Sequence, residues 1–304
     1  MRIVFMGTPQ YAKACLARLV EDGFSVVGVY TKIDTPKNRG HKLAMSEVKE
    51  YALSVGLPVF QPTTFKDDAV VEALRALQPD LIVTAAYGKI LPQRVLDIPK
   101  LGCINLHGSI LPALRGPAPV QRAILNHDRQ TGVTAMFMSA GMDEGDIIEI
   151  RKTPIDPDET SGELMERLAG IAADLCADTV RAMEAGSVTR TPQDAEKSTY
   201  APMLTKEESP IDWTKPASEI SDQVRGLLPW PAATMTLSGA TFKVFRVEKA
   251  EGNTEEAPGT VLGLTKKGLQ LACGNGEIVT VRELQAEGGK RMAAPDYFRG
   301  HPLS

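Results

Sequence analysis

The chain has 304 residues, 43% hydrophobic and 24% charged, with 34 Lys+Arg against 38 Asp+Glu and a formal net charge of -4. That length allows two domains with separate cores, and that composition excludes a disordered or low-complexity chain. The weak negative charge excludes a globally basic nucleic-acid binder, so any RNA contact needs a local basic patch.

Taken in chain order, residues 2–6 are an apolar run ending at Gly7-Thr8-Pro9, a first strand and its turn. Thr8 suits an N-cap and Pro9 a first helical position; Ala12, Cys15, Leu16, Leu19 and Val20 then form a helical stripe ending before Gly23. Phe24–Thr31 is a second strand, followed by a charged loop at Lys32–Lys42 and a helical segment at 45–56. Pro58–Phe60 is a short strand, 66–77 a helix, and Leu81–Ala86 a strongly apolar strand. Leu101–His107 is the next strand and Ala118–Asn126 the next helix. Two further strands, Thr131–Met138 and Ile147–Ile155, precede a long helix over 161–185.

Alternating helices and near-continuous apolar strands predict an α/β, Rossmann-like, doubly wound and mostly parallel sheet covered on both faces. Sites in such sheets form beyond the carboxyl ends of the strands, where Met6, Tyr87 and His107 lie. Gly7-Thr8-Pro9 carries one glycine of the three in the dinucleotide fingerprint, so a nucleotide cofactor is not expected there. From about residue 187 the pattern changes. Arg190–Met203 is polar and proline-bearing and reads as a linker. Short strands at Phe242–Val247, Thr260–Gly263, Leu269–Ala272 and Ile278–Leu284, separated by glycine-rich turns, predict a small C-terminal β-barrel of OB-like type. The domains are therefore expected at 1–189 and 207–304, with 190–206 between them.

Cys15, Cys103, Cys176 and Cys273 lie far apart without metal-ligand spacing, so reduced core thiols are expected and no metal. The N-terminus lacks a signal-peptide layout and no apolar run could span a bilayer, so a cytoplasmic, membrane-free protein is expected.

Chemistry concentrates near the middle. Asn105 and His107 alternate about Leu106 at a strand end, so both polar side chains point the same way. Asp143 sits in Gly141-Met142-Asp143-Glu144-Gly145-Asp146, a glycine-flanked loop that can aim a carboxylate at them. An amide donor, an imidazole and a carboxylate that orients the ring are what acyl transfer requires. No serine or cysteine nucleophile pairs with His107 by any recognisable motif, so direct attack by an amine is favoured over an acyl-enzyme.

The runs Asn105-Leu106-His107-Gly108-Ser109-Ile110-Leu111-Pro112, Arg115-Gly116-Pro117-Ala118-Pro119 and Met142-Asp143-Glu144-Gly145-Asp146 resemble those of the folate-dependent formyltransferases. Similarity extends to Gly7-Thr8-Pro9, Lys37–Leu43, Tyr87–Pro92, Ile211-Asp212-Trp213 and Pro229-Trp230-Pro231, and is closest to the members acting on aminoacyl-tRNA. The resemblance implies 10-formyltetrahydrofolate as donor and the α-amine of methionyl initiator tRNA as acceptor. It implies Asn105, His107 and Asp143 as catalytic residues. It also implies folate contacts from the backbone of Ser109, Ile110, Leu111 and Pro112, and from Ile90, Leu91 and the 138–142 loop. Residues 1–189 would then be the catalytic domain and 207–304 a tRNA-binding domain, in a monomer.

Lys32, Lys37, Arg39 and Lys42 against Asp34 give the loop a net charge of about +3. The resemblance assigns Lys37, Arg39 and Lys42 to tRNA. Residues 210–304 hold eleven Lys+Arg and eleven Asp+Glu, so tRNA binding there needs a one-sided patch. Trp213, three residues from prolines on either side, and Trp230, flanked by them, read as packing residues at a domain junction. The rival readings are a sugar-nucleotide N-formyltransferase and a noncatalytic RNA-binding protein; the basic loop opposes the first and the intact Asn105, His107 and Asp143 the second.

Overall fold

The computed structural model describes residues 1–37 and 42–302. They form two compact units: one gathers 1–119, 130–154 and 165–201, the other 120–129, 155–164 and the chain from 202 onward.

The first unit begins with β1 (Arg2–Gly7), α1 (Gln10–Glu21), β2 (Ser25–Tyr30), a hairpin of β3 (Thr35–Lys37) and β4 (Lys42–Ala44), α2 (Glu47–Ser54) and β5 (Val59–Phe60). It continues with α3 (Asp68–Ala76), β6 (Leu81–Ala85), α4 (Gln93–Leu96) and β7 (Cys103–His107). After α5 (Pro119–Leu125), which falls to the second unit from residue 120, come β8 (Gln130–Phe137), β9 (Ile147–Pro154) and α6 (Ser161–Glu184), which belongs to the first unit from Met165. Seven strands make one sheet in the order β5-β2-β1-β6-β7-β8-β9. The first five pair in parallel and the last two pairings are antiparallel, so the sheet is mostly parallel and doubly wound.

The antiparallel edge has a simple cause at β8–β9. Residues 138–146 join these strands, fewer than the ~12 that a parallel crossover needs. β8 is buried on both faces almost throughout, which makes it read from sequence like a parallel strand.

β1 is an inner strand, with Ile3, Val4, Phe5 and Met6 fully buried. The apolar stripe of α1 packs as its spacing predicts, through Ala12, Cys15, Leu16 and Leu19. The turn before it differs from expectation. Pro9, extended at φ -84° and ψ 179°, is the residue preceding the helix, and Thr8 donates its hydroxyl to the Tyr87 carbonyl instead of capping. Thr8 thus ties the end of β1 to the loop after β6. Gly7 is needed for close approach: a Cβ there would lie 2.5 Å from Ala12 Cβ and 2.9 Å from the Ala85 carbonyl.

The linker reading of residues 190–206 requires correction over its first part. Residues 190–201 belong to the first unit, with Thr191 paired to Ile147 and residues 199–201 hydrogen-bonded along Arg115. The segment is polar because it lies as a strap over loops whose backbone groups need partners.

The second unit contains α7 (Ala217–Gly226), β10 (Ala233–Leu237), β11 (Ala240–Lys249), β12 (Val261–Leu264), β13 (Leu269–Ala272), β14 (Ile278–Ala286), β15 (Met292–Ala293) and α8 (Ala294–Gly300). Its antiparallel sheet runs β10-β11-β14-β13-β12, with β15 on β14. Register shifts near Arg246 bend the long β11 and curve the sheet into a half-barrel. Val244, Leu269, Val281 and Leu284 from the sheet meet Ile220 and Val224 of α7 and Phe298 of α8 in its core. Trp213 packs on that core, whereas Trp230 is 52% exposed, contrary to the packing role expected of it.

All four cysteines are free and buried, and burial pushes the Cys103 thiol up to about 12. A thiol reagent at mildly alkaline pH is therefore expected to label none of them in the native protein and all four in denaturant. Rapid labelling before unfolding would contradict this packing.

Candidate active site

Asn105 and His107 arrive on β7 between two strands that supply hydroxyls. In the sheet register Asn105 faces Thr84 of β6, and His107 faces Thr134 of β8. Thr84 Oγ1 donates to Asn105 Oδ1 at 2.8 Å, which fixes the amide's carbonyl end. Its NH2 makes no hydrogen bond among the described residues and remains available to an oxygen brought from outside.

His107 is 6% exposed. Its Nε2 lies 2.8 Å from the Leu114 carbonyl, which only accepts, so Nε2 carries hydrogen. Nδ1 then faces Asp143 Oδ2 at 3.6 Å. That gap is too wide for a hydrogen bond, and the two attract as an ion pair when the ring carries a second proton. Asp143 Oδ2 is oriented by the Gly116 N–H at 2.9 Å.

The loops that meet here depart from ordinary backbone. Leu114 has φ +59°, Gly116 φ +112° and Asp143 φ +53°. Glycine is required at 116 on two counts, since a Cβ would also lie 2.6 Å from the Tyr200 ring.

The Ser109–Pro112 segment is held from β8. Thr134 Oγ1 donates to the Ser109 carbonyl at 2.7 Å and accepts from the Leu111 N–H at 3.2 Å. Those two backbone groups are thus already engaged, whereas the Ile110 N–H and the Leu111 and Pro112 carbonyls make no hydrogen bond among the described residues. Ser109 is fully buried and donates its hydroxyl to the Ala113 carbonyl at 2.7 Å, so it is no nucleophile. Ile90 is 80% exposed, while Leu91 is 4% exposed and belongs to the core with Met6, Tyr87 and Cys103. Ile90 can therefore offer apolar surface to a ligand, and Leu91 contributes its packing.

Of the basic-loop residues, Arg39 lies outside the described residues; Lys37 and Lys42 pair across the β3–β4 hairpin. The hairpin's base is anchored. Lys49 Nζ bonds Asp34 Oδ2 at 2.6 Å and Gln61 Oε1 at 2.7 Å, and Gln61 Nε2 donates to the Lys32 carbonyl at 2.6 Å. Among the described residues no three His, Cys, Asp or Glu side chains come together as a metal-ligand set.

Residues 1–180 match the family model described as formyl transferase, and residues 203–302 match the formyl transferase C-terminal domain. The chain belongs to the formyl transferase family. It is 45% identical over 304 residues to methionyl-tRNA formyltransferase of Geotalea uraniireducens, covering 100% of this chain and 96% of that protein. It is 44% identical over 302 residues to the protein of the same name from Bacillus licheniformis, covering 99% of this chain and 96% of the relative. Among solved structures, the sugar 3N-formyl transferase WlaRD superposes with TM-score 0.69 at 17% identity, over 94% of this chain and 97% of that one. HypX from Aquifex aeolicus, in complex with tetrahydrofolic acid, superposes with TM-score 0.67 at 19% identity, over 98% of this chain and 47% of that one. At such identities the superpositions show a shared fold.

In this formyl transferase the triad of Asn105, His107 and Asp143 is legible in sequence, but its supports are less so. Thr84 and Thr134 occupy apolar strands, and only the register shows that they face the site. Leu114 acts through its carbonyl, which no side-chain pattern reveals. Thr134→Val keeps shape but leaves the Ser109 carbonyl and Leu111 N–H without their buried partner, and is expected to cost about 1–3 kcal/mol. Urea unfolding of the variant measures this; an unchanged midpoint would show the two groups to be satisfied otherwise.

Proposed function

We propose that this chain transfers the formyl group from 10-formyltetrahydrofolate to the α-amine of methionyl initiator tRNA, as a cytoplasmic monomer. The observation that carries the chemistry is the Asn105 NH2, free among the described residues, two positions from buried His107, which faces the half-buried Asp143. The acceptor is supported by the shared name of relatives that match the chain end to end.

The folate supplies an electrophilic formyl carbon bound to nitrogen. The chain offers groups that suit it: the Asn105 amide as donor, backbone groups within Ile110–Pro112 and exposed apolar surface at Ile90. Asn105 donates to the formyl oxygen as it gains negative charge under attack by the neutral amine. His107, fixed through Nε2 by the Leu114 carbonyl, carries a proton on Nδ1 in the charged state, and Asp143 stabilises that imidazolium. Collapse of the tetrahedral species breaks the bond between the formyl carbon and N10 of the folate; the attacking nitrogen gives up a proton and the leaving nitrogen takes one, through this pair or water.

Residues 1–189 act as the catalytic domain in this reading, and 207–304 as the tRNA-facing domain. In the second unit Lys243, Lys266, Lys267 and Lys290 are exposed and have no carboxylate partner among the described residues, leaving them available to phosphates. Lys37, Arg39 and Lys42 contact the acceptor end in this reading.

The test is purified protein with 10-formyltetrahydrofolate and charged initiator or elongator tRNA. Formylation confined to the initiator is expected, and transfer only to an amino sugar nucleotide would overturn the acceptor. Asn105→Ala is expected to lower kcat about 100–1000-fold with folate binding intact; near-full turnover would overturn the assignment. Arg39→Ala should reduce by about 1 the slope of log kcat/KM for tRNA against log salt. An unchanged slope would remove Arg39 from the interface.

A further inference from the structure

We propose that Gln193 is a positioning residue for the Asp143 carboxylate, acting by pinning the main chain of the loop that carries it. This rests on the assignment of Asp143 to the reacting site.

Asp143 is a non-glycine residue at φ +53°, a conformation that persists only where the surroundings impose it. The imposing group is the Gln193 amide. Its Nε2 donates to the Asp143 carbonyl at 2.9 Å and to the Gly145 carbonyl at 2.8 Å, one hydrogen to each. These carbonyls accept no other hydrogen bond among the described residues. Gln193 Oε1 in turn accepts from Arg115 Nε at 3.1 Å and Nη2 at 2.9 Å. Two donors and two lone pairs are all the amide has, and all are used.

The partners close a ring. Arg115 precedes Gly116, whose N–H holds Asp143 Oδ2, and follows Leu114, whose carbonyl holds His107 Nε2. Main chain and carboxylate of Asp143 are thereby both referenced to the segment that fixes the imidazole. Gln193 is itself held from either side. Thr191 and Ile147 exchange backbone hydrogen bonds at 2.8 and 2.9 Å, and the Arg190 guanidinium lies 3.6 Å over the Phe137 ring. Further along, the Leu114 N–H donates to Thr199 Oγ1 at 2.9 Å, and Ala201 N–H donates to the Arg115 carbonyl at 2.7 Å. The strap therefore has pins besides Gln193. Removing the amide frees the 143–145 backbone while the strap stays attached, and the His107–Asp143 separation is what then drifts.

The experiment measures kcat and both KM values for Gln193→Ala and Gln193→Glu, alone and combined with Asp143→Asn, with thermal melts alongside. Gln193→Glu keeps acceptors for Arg115 but presents a carboxylate to two carbonyls, so it separates the Arg115 contact from the loop contact. Both variants are expected to lower kcat ~10-fold or more, with each KM within about 2-fold, as for an interaction that matters only during reaction. In the Asp143→Asn background Gln193→Ala is expected to cost nothing further, because its effect passes through the carboxylate. A Gln193→Ala enzyme within about 2-fold of wild-type kcat overturns the proposal, as does a full additive loss on Asp143→Asn. Loss of folding in both Gln193 variants also overturns it, the role then being structural. Wild-type turnover by Asp143→Asn is the separate outcome that defeats the underlying site assignment.

Discussion

His107 gives Nε2–H to the Leu114 carbonyl, and the rest of the site is arranged so that this bond can be kept. An imidazole 6% exposed must be hydrogen-bonded or it destabilises the fold, and the choice of partner decides which nitrogen faces the chemistry. Leu114 reaches that nitrogen by adopting φ +59°, an arrangement that costs a leucine on the order of 1–3 kcal/mol. The strap offsets this: Thr199 takes the Leu114 N–H, and residues 199–201 hold Arg115 on both backbone groups. A polar, proline-bearing segment far along the chain is therefore required by one histidine.

Two strand-borne threonines make the same point from the sheet. Thr84 fixes Asn105 by its carbonyl, and Thr134 bridges the Ser109 carbonyl and the Leu111 N–H. Each sits one strand away from what it serves, in the register that the parallel β6–β7 and antiparallel β7–β8 pairings create. Asn105 on β7 and the 109–111 segment that follows it are thus each held by a hydroxyl from a neighbouring strand.

How far the sequence reveals such a site depends on what acts. Asn105 and His107 are visible because strand alternation puts both on one side, and Asp143 because glycines flank it in a short connection. The alternation of apolar strands and helical stripes likewise predicts the sheet, down to the buried face of α1. What stays hidden acts through backbone or through distant register. Leu114 works by its carbonyl, Gly116 by its N–H, and Gln193 sits in a stretch whose polarity looks like a linker's. Thr8 suits a cap by residue type, yet a carbonyl from another strand end takes its hydroxyl. The antiparallel β8 is hidden for a related reason, because a strand buried on both faces carries no alternation to betray its direction.

The same geometry commits Ser109 and the cysteines to packing and hydrogen bonding. The Ser109 hydroxyl, two residues after His107, is fully buried and committed to the Ala113 carbonyl, and every cysteine is buried. Neither can present a nucleophile without dismantling packing that the loops depend on. In the proposed reaction an acyl group beside Asn105 passes straight to an amine that arrives from outside, and the protein's part is to meet charge as it develops. A donor fixed by Thr84 and an imidazole fixed by Leu114 need no reorganisation at that moment. The carboxylate is the member of the set on an irregular loop, held by one backbone N–H and by its own strained main chain. Precision there has to come from contacts made outside the loop, and the strap supplies them through the Gln193 amide.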